Sequence, residues 1–312
     1  MIDQKDVTII VPHYGQSPES KYAWNQCAQS LIETVPEVVA RDGGLIVATN
    51  GYDPAIDGVP NQVGDIHITS QGQCKAVNAA VAITNTPWIL VTNDDMIYPP
   101  GWFEELVKPI GKKFFSSSED LDERVIQPLN GGLPSNLPIG LREIPEILCI
   151  SPKLIEPRTG SPTFEIYFCG GAGGDFDKNK FLEFAKNYKG QGIRTGSNLP
   201  FLIRRDLWET IGGYDINYDP WGSNSDSDLQ YKIRLAGVQP YQNTNSIVYH
   251  FSQTSGTFNP QNQAFWNKNW EYFISKWGFP RTDQGIWEAN FSIPDEGRKF
   301  RPDWEGKYGN VN

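Results

Sequence analysis

Short apolar runs closed by glycine, proline or asparagine alternate, along the first hundred residues, with stretches whose apolar side chains return every three or four positions. The run VTIIVPHYG is β-branched and stops at Pro12 and a loop, which predicts a buried strand. Residues 20–39 follow with Trp24, Cys27, Leu31 and Val35 at helical spacing. GLIVATNG reads as a second strand ending at the turn signal Asn50-Gly51, and DIHITS as a short third strand. CKAVNAAVAIT suits a helix packed closely on a sheet, and PWILVTNDD supplies a fourth strand. Strands alternating with helices argue for a parallel, right-handed, doubly wound sheet, whose ligands bind beyond the carboxyl ends of the strands. That rule places His13-Tyr14-Gly15, Thr49-Asn50-Gly51 and Asn93-Asp94-Asp95 along one edge.

Further along, PPGWFEELVKPI predicts a helix with Glu104 and Glu105 in its first turn, where the helix dipole favours acid. Residues 114–146 are polar, aperiodic and rich in proline and glycine, as in a long insertion or loop. ILCISPKLIEP reads as a strand. YFCGGAGGDF is too glycine-rich for regular structure and has the spacing of neither a P-loop nor a dinucleotide fingerprint. PFLIRRDLWETIGGYD predicts a short strand and a helix begun by Asp206 and stopped at Gly212-Gly213. WGSNSDSDLQYKIRLAG predicts a loop carrying Asp226 and Asp228, then a helix from Leu229 capped by Asp228. NSIVYHFSQTSG is a last strand that delivers His250. FWNKNWEYFISKWGFP is an aromatic amphipathic helix, followed by a polar tail.

Composition narrows the function classes. At 312 residues the chain is long enough to bury a substantial core, and 30 glycines with 23 prolines imply many loops. A net charge of -10 argues against nucleic acid or an anionic membrane as a broad partner. The N-terminal stretch lacks a charged leader with an apolar run, and no apolar run approaches a membrane span, so a soluble, cytoplasmic protein is expected, with peripheral membrane contact left open. Cys27, Cys74, Cys149 and Cys169 have no zinc-site spacing and read as reduced, buried thiols. Asp94 and Asp95 are different. Two adjacent carboxylates after a buried run repel each other unless a positive group stands beside them, so they mark either a solvated turn or a cation site.

Four pieces in order, VTIIVPHYG, VTNDDMIYPPGWFEELV, LIRRDLWETIGGYD, and SDSDLQYKIRLAG followed by VYHFSQTS, resemble the inverting family 2 glycosyltransferases of the GT-A fold over residues 7–278. The resemblance implies an α/β, Rossmann-like GT-A fold: a mixed, mostly parallel sheet flanked by helices, with a C-terminal helical or irregular extension. Residues 1–258 would form the GT-A domain, with a nucleotide-sugar and metal half at 1–110, a loop-rich insertion at 111–146 and an acceptor and catalytic half at 147–258. The aromatic helix and tail at 259–312 would pack on it. The implied activity is metal-dependent, inverting, hexosyltransferase-like transfer, as in polysaccharide synthesis, from a nucleotide-diphospho-sugar, with a UDP-sugar expected, to a hydroxyl of a glycan or other acceptor.

The same resemblance assigns residues. Asn93-Asp94-Asp95 stands where the family has DXD, with Asp95 in the most important position and Mn2+ or Mg2+ as the cation, which neutralises the departing diphosphate. His250 would reach the metal or the diphosphate. Asp226 inherits the role of catalytic base, while Ser225 replaces the family's glutamate. Pro12, His13, Tyr14, Thr49 and Asn50 would meet the nucleotide, with Thr49 where the family has an aspartate, and Lys75 and Asn78 would meet phosphate or sugar at a helix start. Trp221, Gly222, Ser225 and Asp228 fall on the acceptor side, Trp221 as a stacking platform. The departures at Asn93, Thr49 and Ser225 motivate an alternative, a catalytically weakened sugar-nucleotide or glycan-binding module. A nucleotidyltransferase on a similar sheet would want a glycine-rich, lysine-bearing loop after the first strand, and VPHYGQSPESK is a poor version of one.

Overall fold

The computed structural model describes residues 2–15, 17–50, 64–68, 72–112, 115–117, 141–143, 146–157, 164–252 and 260–281. The β-branched N-terminal run forms β1 (Val7–His13), buried throughout. Ser17 caps α1 (Pro18–Thr34), its hydroxyl accepting from the Ser20 amide at 3.0 Å, with Pro18 in the first turn, where a missing N–H costs nothing. The helical spacing over 20–39 is broken at Val35, because Pro36 cannot donate to the preceding turn, and α2 (Pro36–Ala40) starts anew. Next come β2 (Leu45–Asn50), β3 (Gly64–Ile68), α3 (Gln73–Ala82), β4 (Trp88–Val91), β5 (Met96–Ile97) and α4 (Trp102–Val107). In the expected insertion, β6 (Phe115–Ser117) and β7 (Leu141–Glu143) pair antiparallel, and the rest of 114–145 lies outside the described residues, as does the tail from 282.

The second half contributes β8 (Cys149–Glu156), β9 (Glu165–Ile166), α5 (Lys178–Asn187), β10 (Ile193–Thr195), β11 (Phe201–Arg204), α6 (Arg205–Ile211), α7 (Ser225–Leu235), β12 (Tyr241–His250) and α8 (Gln263–Trp277). The strand order is β10-β12-β8-β11-β4-β1-β2-β3. From β3 to β4 all pairings are parallel, as the alternating pattern predicts. The doubly wound pattern ends at β11, which runs antiparallel between β4 and β8. Beyond it β8 and β12 are parallel again, so the sheet is mixed and mostly parallel.

Alternate residues of each strand point to opposite faces. Ile10, Ile46, Ile89 and Ile203 meet Ala76 and Ala80 of α3, Leu207 of α6, Leu229 and Ile233 of α7, and Phe273 and Trp277 of α8. Ile9, Val47, Leu90 and Leu202 meet Trp24 and Leu31 of α1, Val38 of α2 and Leu106 of α4. Among the described residues no helix is long and apolar enough to cross a membrane.

Two helix starts differ from expectation. Asp206 does not begin α6; Arg204 occupies the cap, and the Asp206 carboxylate accepts from the Leu207 amide at 2.7 Å and the Arg204 guanidinium at 2.6 Å. The α7 helix begins four residues before Leu229, because Asn224 takes a left-handed backbone (φ 67°), a conformation asparagine tolerates, and turns the chain into the helix there. Asp226 and Asp228 therefore ride on its first turn, and Asp228 is not the cap.

Candidate active site

The two adjacent carboxylates are each matched to an imidazole. His13, at the end of β1 and with its ring 5.1 Å from that of Trp24, places Nδ1 2.5 Å from Asp94 Oδ2. His250, at the end of β12, lies with Nε2 3.4 Å from Asp95 Oδ1. That second meeting follows from strand register: β5 pairs antiparallel with β12, His250 opposite Met96, and the Phe251 amide donates to the Asp95 carbonyl at 3.0 Å. On its other side His250 Nδ1 lies 2.6 Å from Glu156 Oε1, delivered by the neighbouring β8, whose Ile155 is in register with Tyr249. Burial alone would push the His250 imidazolium down, but Asp95 and Glu156 outweigh it and hold the pKa at about 10. Below, Cys27 and the hydroxyl pair Thr92–Tyr98 tie this turn to the core.

Asp226, on the first turn of α7, borders the same cavity as this turn. Its Oδ1 accepts a 2.7 Å hydrogen bond from the Tyr214 hydroxyl. Tyr214 is itself clamped: the Asn78 amide donates to its carbonyl at 2.8 Å and accepts from its N–H at 2.9 Å, and the Trp208 ring meets it edge-on. Crowding by the cavity walls pushes the Asp226 pKa up, while Tyr214 and the Arg281 charge oppose the rise. The side chain still opens to solvent in the cavity, so the upward push is limited.

Both groups border one cavity of about 270 Å³. Of the expected residues, it brings together Pro12, His13, Tyr14, Asn93, Asp94, Asp95, Trp221, Gly222, Asp226 and His250. Tyr14 and Trp221 meet edge to face at 5.9 Å, joining the β1 loop to the loop before α7. Gly222 is required there: its φ is +67°, and a Cβ would come within 2.9 Å of Gln73 Oε1.

Other expected residues do different work. Thr49 is fully buried and does not border the cavity, and the Asn50 side chain lies outside the described residues. The start of α3 is not open to a phosphate through Lys75, since Asp219 already accepts from the Cys74 and Lys75 amides at 2.9 and 3.2 Å. Gly72 permits that approach, as a Cβ there would meet the Asp219 carboxylate at 2.4 Å. Asn78 has both ends of its amide on Tyr214 and does not line the cavity. Ser225 is buried, and Asp228 is completely buried beneath α8, so neither faces an acceptor. Trp277 Nε1 and Lys276 Nζ each reach Asp228 Oδ1 at 2.8 Å.

Gln73, Trp266, Arg281, Tyr214 and Glu156 escaped the sequence reading. Tyr214 lies in the quoted GGYD and Glu156 ends a quoted strand, but only the sheet order puts them against Asp226 and His250. Among the described residues no group of three or more His, Cys, Asp or Glu cages a cation. The donor set nevertheless suits a magnesium- or manganese-like ion, which takes one or two carboxylates and fills its other positions with water and substrate phosphate. The Asp95 carboxylate and the His250 imidazole beside it, oriented by Glu156, would supply those protein donors, with the cation taking the place of the Nε2 proton.

Residues 8–117 match the model of the family described as Glycosyl transferase family 2. The family read from the motifs is thus the one reported for the half of the sheet that carries Asp94 and Asp95, and the mixed sheet flanked by helices is the GT-A architecture it implies. No curated protein matches the chain. Among solved structures the chain is similar to GalNAc-T7 with UDP, GalNAc and Mn2+, at 15% identity over 96% of this chain and 54% of that one, with a TM-score of 0.48. It is similar also to mannosyltransferase PcManGT from Pyrobaculum calidifontis in complex with GDP-Man and Mn2+, at 13% identity over 95% and 67%, with a TM-score of 0.44. A third is S. aureus TarS 1-349, at 10% identity over 97% and 79%, with a TM-score of 0.47. The chain spans about half the length of the first of these.

Proposed function

We propose that the protein is a metal-dependent, inverting glycosyltransferase that moves a sugar from a nucleotide-diphospho-sugar, a UDP-sugar being the first donor to try, to a hydroxyl of a glycan acceptor. The observation that carries this reading is one cavity bordered by Asp94, Asp95 and His250 together with Asp226. Asp95 and His250 would hold Mn2+ or Mg2+, and the cation when bound supplies positive charge to the departing diphosphate. Asp94, fixed by His13, adds a carboxylate beside Asp95, and Pro12, His13 and Tyr14, which border the same cavity, would meet the nucleotide.

Asp226 accepts the proton of the acceptor hydroxyl as that oxygen forms its bond to the anomeric carbon and the bond from that carbon to the diphosphate oxygen breaks. One displacement inverts the anomeric configuration. The hydrogen bond from Tyr214 fixes the orientation of Asp226 and leaves its second oxygen for the acceptor. Trp221, which borders the same cavity, would offer a ring face to the acceptor sugar.

The test is release of nucleoside diphosphate from a panel of UDP-, GDP- and dTDP-sugars with manganese or magnesium. Metal-dependent release from one donor, lost in Asp95→Ala, supports the reading, and Asp226→Asn should lose turnover while retaining nucleotide. Full activity in Asp226→Asn sinks the base assignment. Binding of a sugar nucleotide without release, whatever acceptor is added, favours the weakened binding module that the departures at Asn93, Thr49 and Ser225 suggest.

A further inference from the structure

The α8 helix carries two aromatic faces. Asn269, Phe273, Lys276 and Trp277 form the buried one, against the core. Gln263, Trp266, Asn267 and Trp270 recur at the same spacing on another face and, with Arg281, line a groove. Trp266 and Arg281 belong both to this groove and to the cavity that holds Asp226, so the two are continuous. From this continuity we infer that the groove is an extended acceptor subsite for a neutral oligosaccharide, with Trp266 and Trp270 stacking on successive sugar rings leading away from Asp226; it rests on the transferase reading above.

The chemistry of the lining selects that occupant. Trp266 and Trp270 stand four residues apart on the helix, about 6 Å along its axis, so their rings address neighbouring units of a chain rather than one unit twice. Indole faces take up the apolar C–H faces of a sugar ring, and amide side chains, each both donor and acceptor, suit hydroxyls, which are both as well. Gln263 Nε2 already donates to Asn267 Oδ1 at 2.8 Å, which orders the amide pair along the groove. A polyanion is disfavoured by a chain of net charge -10 with one cationic residue in the lining, and the amides make a poor seat for a lipid surface.

Two measurements test it. Calorimetric titration of the whole protein with neutral glucan, mannan, galactan and chitin oligomers, from monosaccharide to hexasaccharide, should show one class whose affinity rises with length. Trp270→Ala should weaken the longer oligomers roughly three- to tenfold, and Trp270→Phe should restore most of that. In transfer assays, kcat/KM for a long acceptor divided by that for a short one should fall by a similar factor in Trp270→Ala. Equal loss with both acceptors, no length dependence, or binding to neutral or anionic vesicles in place of oligosaccharides would overturn the subsite. Failure of every donor to release nucleoside diphosphate would sink the transferase reading instead, while the titration still decides the groove.

Discussion

Tyr214 controls the proposed base through one hydrogen bond, and its removal has a signed consequence. The hydroxyl stabilises the charged form of Asp226, so Tyr214→Phe should raise the Asp226 pKa and move the acidic limb of the kcat/KM profile to higher pH, with lower activity throughout. A limb that stays put, or moves down, means that Tyr214 does not act on the base. Glu156 plays the corresponding part for His250. Glu156→Gln should weaken manganese binding by about 10- to 100-fold in a titration, the usual size for a partner that orients a metal-binding imidazole, and undiminished affinity would take His250 out of the metal site. Motif register in the sequence reaches Asp94, Asp95, Asp226 and His250, because each sits at a strand end or helix start that local pattern marks. Residues acting on them from another element carry no local mark. Asn78 was legible as a polar residue near the start of a helix, but its target, the Tyr214 backbone, is 136 positions away.

At the scale of elements, α8 holds the Trp221 loop of the cavity from behind. Asn269 donates to the Tyr218 carbonyl at 2.7 Å and to Ser223 Oγ at 2.9 Å, fixing the loop that carries Trp221. Below it, Lys276 lies 2.7 Å from Asp215 and 2.8 Å from Asp228, and Lys232 lies 3.6 Å from Asp228, so a half-buried acid and a buried one are balanced by two cations. Burial would raise the Asp215 pKa, but Lys276, the Asn217 amide and Tyr272 prevail and bring it down to about 2. A carboxylate with a depressed folded-state pKa stabilises the fold above its unfolded pKa of about 4 and loses that contribution as the pH falls toward 2. Asp215→Asn should therefore cost about 2 kcal/mol at neutral pH, a gap that closes between pH ~4 and ~2 in denaturant titrations. A gap independent of pH would point to lost packing instead. The sequence pattern marks α8 as aromatic and amphipathic, and its apolar stripe is the face that packs. The second stripe is invisible to that reading, since tryptophans beside polar residues look like the edge of a core-facing face until the core is seen to be full without them.

In the whole molecule, the residues proposed to hold the metal lie at strand ends of one sheet, and the proposed base lies on α7, which packs on that sheet through Leu229 and Ile233. The β4–β11 pairing joins the parallel half, which holds Asp94 and Asp95, to the half that holds β8 and β12, and β5 pairs across to the end of β12 beside His250. Strand order of this kind is only partly legible from alternation. The β1–β4 half follows from local pattern, whereas the reversal at β11 depends on connections whose direction no hydrophobic period encodes. Because α7 packs through a continuous apolar layer on the same hydrogen-bonded sheet that positions Asp95 and His250, neither side of the cavity can lose its packing alone. Heating should then give one cooperative transition, followed equally by tryptophan fluorescence and by far-ultraviolet circular dichroism. Manganese with nucleoside diphosphate, at about a hundred times its dissociation constant, should stabilise the folded state by ~2.7 kcal/mol and raise Tm by roughly 5 °C without splitting the transition. Asp95→Ala should abolish that rise and keep a single transition, because it removes a ligand contact at the sheet's edge and leaves both apolar layers intact. Two transitions, of which the ligand moves only the first, would mean that the halves fold as separate units and that the cavity is an interface between them.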